Sequence, residues 1–105
     1  MTDKRIVLST AGSEDEARKI ALYLVENRLA ACVNIVRGME SVYRWQEKVE
    51  SNRELLLLIK TSAERVPEVR DAIRQLHSYE LPECVAISVE GGSSDYLEWI
   101  ERSVK

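Results

Sequence analysis

The sequence predicts an α+β fold, on three observations. Short β-rich runs and amphipathic helical runs follow one another in the order β-α-β-β-α-β, with one more helical run at the C-terminus. Two polar stretches with cap chemistry stand at the points where a strand gives way to a helix. Three of the four strand segments are apolar on both faces, so the sheet has no water-facing side built into its pattern.

The elements follow in order. Residues 5–10 (R-I-V-L-S-T) read as a short strand. Ser13-Glu-Asp-Glu16 has the form of a capping box, with Ser13 accepting from the first turn and Glu16 reaching back. The helix behind it carries apolar residues at 17, 20, 21, 24 and 25, one stripe, and Asn27-Arg28 ends it. Residues 31–36 and 42–45 are β-rich, with Gly38 between them as a point of bulge or bend. Residues 47–52 are polar and supply a turn. Residues 54–61 form the third strand, and Thr61-Ser-Ala-Glu64 reads as a second capping box. Its helix places Val66, Val69, Ile73 and Leu76 on one face, with Pro67 in the first turn where the missing N–H costs little. A connector, 77–83, leads to the last strand at 84–89, and Gly91-Gly92-Ser93-Ser94 opens a third helix at 95–103. The plan is the ferredoxin-like sandwich with an extended β2-β3 hairpin and a C-terminal helix. Right-handed crossovers put the first and third strands in the centre and the second and fourth at the edges.

The run Leu55-Leu-Leu-Leu-Ile59 sharpens the point about burial. Side chains alternate across a sheet, so this run presents leucines to both faces, and two helices cover only one. The third helix is too short to cover the other. The hairpin arms, about 14 residues each, exceed the usual strand length of roughly 5–6 residues and should project past the sheet with open edges. The pattern predicts an obligate oligomer.

The 105 residues fit one domain, 1–105, and the formal net charge of −3 disfavours nucleic acid and anionic membrane as partners. The N-terminus lacks the apolar core of a secretory signal, and Cys32 and Cys84 show neither a disulfide framework nor a zinc spacing, which reads as cytoplasmic with free thiols. No nucleophile–base or acid–base constellation is visible, so the sequence does not read as an enzyme. His77, the only histidine, and Cys32 are candidate metal ligands, with Glu80 a possible second ligand beside His77. Their structural alternatives are a helix-terminal histidine and a small buried apolar residue. Glu54 and Lys60 share one face of their strand with Leu56 and Leu58, so a partner covering that face would require each to find an opposite charge or a ligand. Glu83 is a candidate partner for Lys60.

Six segments together resemble the CutA divalent-cation tolerance family: L-A-A-C-V-N-I at 29–35, S-V-Y-R-W at 41–45, K-V-E at 48–50, E-L-L-L-L-I-K-T at 54–61, H-S-Y-E-L-P-E at 77–83 and D-Y-L-E-W at 95–99. The resemblance implies a homotrimer of PII-like architecture with interlocked hairpins, no enzymatic activity, and a role in tolerance of copper or another divalent cation. It also implies a polar and aromatic cluster near intersubunit clefts, at Cys32, Trp45, Glu54, Lys60, Tyr79 and Glu83. The chain departs from many relatives at Glu47, where they carry glycine, and at Ser78, where they carry proline. It has Ser9 and Leu76 where some copper-binding relatives have cysteine and histidine, so the resemblance implies weak copper binding at most. Two further readings share the fold: a PII-like sensor with a small molecule or anion bound between subunits, and a structural scaffold.

Overall fold

The structure, a computed structural model, describes residues 2–105. Four strands, β1 (Lys4–Ala11), β2 (Cys32–Trp45), β3 (Lys48–Ser62) and β4 (Val85–Ser88), form one antiparallel sheet in the order β2-β3-β1-β4. Helices α1 (Glu14–Glu26) and α2 (Val66–Leu76) cover one face, and α3 (Ser94–Ser103) follows the last strand. This is the α+β, ferredoxin-like arrangement, with β1 and β3 central and β2 and β4 at the edges, as the crossover rule requires.

The helix-covered face is the core. Val7, Ser9 and Ala11 of β1 and Leu57, Ile59 and Thr61 of β3 are fully buried against Ala17, Ile20 and Leu24 of α1 and Val69 and Ile73 of α2. The apolar stripes of both helices follow their spacing except at Val25, which the α1 pattern includes but which is 40% exposed. The other face carries the alternate residues. Register places Leu58 beside Leu8 and Leu8 beside Val85, with Ile6 beside Ile87. Val85 and Ile87 are 51% and 45% exposed, and Val36 of β2 is 44% exposed. Helix α3 covers only one end of this face, where Ile100 is buried and the Lys4 ammonium meets Asp3 and Glu101.

The hairpin is long for a reason visible in the pairing. β1 pairs with β3 only from Leu55 to Ser62, while β2 accompanies β3 down to Lys48. The distal half, Met39 to Trp45 against Lys48 to Glu54, therefore projects beyond the sheet and stretches the molecule to 44 Å by 25 Å by 23 Å. Gly38, at φ 78°, accommodates a bulge between Val36 and Met39, so 32–45 is one bent strand rather than two.

Three local expectations are corrected. The turn is not the polar stretch 47–52: it is Gln46-Glu47 alone, both at positive φ (49° and 69°), and the strand resumes at Lys48. A two-residue loop matches the right-handed twist of the strands only in that left-handed conformation, so geometry overrode the polar composition. The first capping box forms by half. Ser13 accepts from the Glu16 N–H at 3.2 Å, but the Glu16 carboxylate turns away to accept from the Ser78 N–H and hydroxyl at 2.9 and 3.1 Å. The second does not form. Thr61 and Ser62 remain in β3, the Thr61 hydroxyl donates to the Leu29 carbonyl at 2.6 Å, and a 3-10 turn (Ala63–Arg65) precedes α2 without a side-chain cap.

Candidate functional site

Between the projecting hairpin and the connector after α2 lies a cleft of about 750 Å³. The hairpin contributes residues 41–45 and Glu54, the connector residues 79–83, and β1 contributes Thr10. Trp45, Glu54, Tyr79 and Glu83, four of the residues singled out from the sequence, line it. Lys60 does not. It stands toward the α3 end of the same strand, donating to Asn34 with its ammonium 3.9 Å from the Cys32 sulfur. The Lys60–Glu83 pair is not formed: strand β3 rises about 3.3 Å per residue, which carries Lys60 far from the Glu54 end where Glu83 sits.

Tyr79 organises the floor of the cleft. Its hydroxyl donates to Glu54 Oε2 at 2.7 Å. Burial first, and then the Glu54 carboxylate it bonds, push this phenol well above its ordinary range, so it remains a donor. Glu54 is only 8% exposed, and among the described residues Tyr79 is its one hydrogen-bond partner and no cation pairs with it. The position of Tyr79 is fixed from below. Its backbone N–H donates to His77 Nδ1 at 3.1 Å, and its hydroxyl lies where a β-carbon on Gly12 would come within 2.9 Å. Glycine is needed there for close approach rather than for backbone freedom.

His77 is a structural hub in this chain. The ring is fully buried, and Nε2 lies 2.6 Å from the Thr10 carbonyl, which only accepts. Nδ1 lies 3.1 Å from the Tyr79 N–H and 3.4 Å from the Glu16 carboxylate, so both ring nitrogens are in use. Cys32 lies elsewhere. It pairs across from Lys60, opposite Ile6, whereas His77 reaches Thr10, four residues further along β1. That spacing corresponds to about 13 Å of strand. Glu80 lies on the cleft wall, and no group of three or more His, Cys, Asp or Glu side chains gathers at metal-binding distance among the described residues. The described residues therefore do not gather the three or four ligands that a tight metal site uses. Cys84 is a free, half-buried thiol whose burial pushes its pKa up. Ser93 caps α3, accepting from the Tyr96 N–H at 3.4 Å.

Sequence reasoning missed the contributions of Thr10, Gly12, Glu16, Arg44, Leu81 and Pro82 to the cleft and its support. The contact of Gly12 with Tyr79 spans 67 residues and has no local sequence signal.

The fold and cleft define a class: a ferredoxin-like sandwich with a projecting β2-β3 hairpin, an apolar sheet face that the helices leave largely open, and an aromatic and acidic cleft. Residues 5–103 match the family described as CutA1 divalent ion tolerance protein, and the chain belongs to that family. It is 47% identical over 100 residues to the divalent-cation tolerance protein CutA of Thermus thermophilus, covering 95% of this chain and 97% of that one. The solved structure of the divalent cation tolerance protein (Cut A1) from Thermus thermophilus superposes with a TM-score of 0.95 at 46% identity, over 97% of this chain and 99% of the other. The structure of the periplasmic divalent cation tolerance protein CutA from Archaeoglobus fulgidus gives a TM-score of 0.94 at 39% identity, over 97% and 99%. The chain spans about half the length of plant and human relatives, 55% of the Arabidopsis thaliana protein and 52% of the Homo sapiens one. No helix among the described residues is long and apolar enough to cross a membrane.

Proposed function

We propose that the chain acts as a non-enzymatic homotrimer in tolerance of divalent cations, copper(II) foremost. The observation that carries the assembly is the uncovered sheet face. Val36, Val85 and Ile87 are 44–51% exposed beside partly buried Ile6, Leu8, Leu56 and Leu58, a continuous apolar surface of a kind monomers rarely leave open. The projecting hairpin, with Val42 and Val49 each 67% exposed, supplies an unpaired edge for a neighbour. The cation role rests on the family and on the descriptions of its relatives. Copper uptake is weak in this reading and draws on groups from more than one subunit. Within one subunit both nitrogens of His77 are bonded and the Cys32 sulfur stands beside the Lys60 ammonium, which repels a cation. Cytoplasmic residence belongs to the same proposal and rests on the two free thiols.

Native mass spectrometry of metal-stripped protein tests this reading, first alone and then titrated with Cu(II) against a weak competing chelator. The expected result is a trimer with sub-stoichiometric copper. A monomer at micromolar concentration overturns the assembly, and tight stoichiometric uptake lost in His77→Ala overturns the account of His77. A second reading, a PII-like sensor, is favoured by the cleft, whose size and half-open form suit a small molecule.

A further inference from the structure

We propose that the cleft binds an organic cation, an ammonium group seated against Glu54 with its apolar body between the aromatic walls. The inference rests on the sensor reading of the cleft and gives its ligand a chemical class. Glu54 is a buried carboxylate that holds one hydrogen bond, from Tyr79, and among the described residues lacks a counter-charge. Burying a carboxylate in that condition is costly, and the cost is relieved by a cation delivered through the cleft it lines. The remaining charge agrees. Glu80 and Glu83 add two carboxylates to the lining against the single guanidinium of Arg44. An anion would enter a site with excess negative charge whose Tyr79 hydroxyl is already spent on Glu54.

The walls have the second feature that ammonium recognition uses. Tyr43 and Trp45 line the same cleft, and a ring face attracts a cation within about 6 Å of its centroid. Val42, Leu81 and Pro82 give an apolar surface for the rest of the molecule. A bare divalent ion suits the cleft less well. Such ions take six or more oxygens or a tight donor set, and no three acidic or imidazole groups converge among the described residues. The other source of positive charge is a basic side chain from a second copy, which the test separates.

The experiment titrates the metal-stripped, full-length protein with phenethylamine hydrochloride and with sodium 3-phenylpropionate, two aromatic bodies of opposite charge. Calorimetry gives affinity, and native mass spectra of the same samples give the subunit count. Phenethylamine should bind saturably and at least about tenfold tighter than phenylpropionate, as a charge-assisted contact requires. Glu54→Gln, which keeps the shape and a partner for Tyr79, should weaken phenethylamine about tenfold or more while leaving the subunit count intact. Trp45→Ala, at a position 38% exposed, should weaken it several-fold without unfolding the chain. Preference for phenylpropionate, no saturable heat with phenethylamine, or unchanged affinity in Glu54→Gln overturns the proposal. Loss of the oligomer in Glu54→Gln also overturns it, because the counter-charge then comes from the neighbouring copy. A monomeric wild type that still binds phenethylamine through Glu54 would refute the assembly and leave the cleft assignment standing.

Discussion

Replacing Gly12 by alanine tests the packing beneath the cleft. The added methyl would lie 2.9 Å from the Tyr79 hydroxyl and 3.6 Å from two ring carbons. Ordinary contact needs roughly 3.5 Å or more, so the hydroxyl must move by about half an ångström or further. It is tethered to Glu54 at 2.7 Å, and the movement takes it out of good hydrogen-bond range. A hydrogen bond to a charged group contributes about 1.5–3 kcal/mol. The opposing gain from a less flexible unfolded chain is about 0.4–1 kcal/mol. Gly12→Ala should therefore destabilise by about 1–2 kcal/mol. Guanidinium unfolding at fixed protomer concentration measures this, since association makes the midpoint concentration-dependent. The control is the Tyr79→Phe background, where no hydroxyl stands in the way. There Gly12→Ala should be neutral or stabilising by up to about 1 kcal/mol. An equal cost in both backgrounds, or a stabilised single variant, refutes the reasoning.

Further predictions concern the core, the turn and the N-terminal ion pairs. The Ser9 hydroxyl is fully buried without a hydrogen-bond partner among the described residues, so Ser9→Ala should stabilise by about 1 kcal/mol in the same unfolding assay, and destabilisation would reveal a partner such as a buried water. Glu47 holds φ 69° in the tight turn, so Glu47→Gly should raise stability by about 0.5–1 kcal/mol; a loss would show that strain there is negligible. The Lys4 ammonium is held above its ordinary range, first by Asp3 and then by Glu101. A raised lysine contributes fully below its unfolded value of about 10.4 and loses that contribution as pH climbs through the folded value. Unfolding curves of wild type and Lys4→Met should therefore converge as pH rises above about 10. Parallel curves would remove this pair from the account.

The sequence was most legible where a signal is local or periodic. The Gly38 bend, the α2 stripe and the α1 stripe apart from Val25 are short-range, and they stand in the structure where their patterns put them. Capping failed where a side chain had a better distant partner. Glu16 bonds Ser78, 62 residues away, and Thr61 bonds the Leu29 carbonyl, so both left the local motifs that their spacing offered. The cleft was legible in part. Trp45, Glu54, Tyr79 and Glu83 meet, but Lys60 shares a strand and a face with Glu54 without sharing its surroundings, because one strand crosses two different environments.

By itself, the sequence determined the order of elements, the central position of β1 and β3, and the doubly apolar sheet. Those follow from periodicity, from the handedness of crossovers and from the alternation of side chains, none of which needs distant coordinates. Only the tertiary structure decided that His77 spends both nitrogens on the backbone, that Gly12 makes room for Tyr79, and that Glu54 lies buried at a cleft with a single hydroxyl for company. These depend on where residues tens of positions apart converge, and no local pattern encodes that distance.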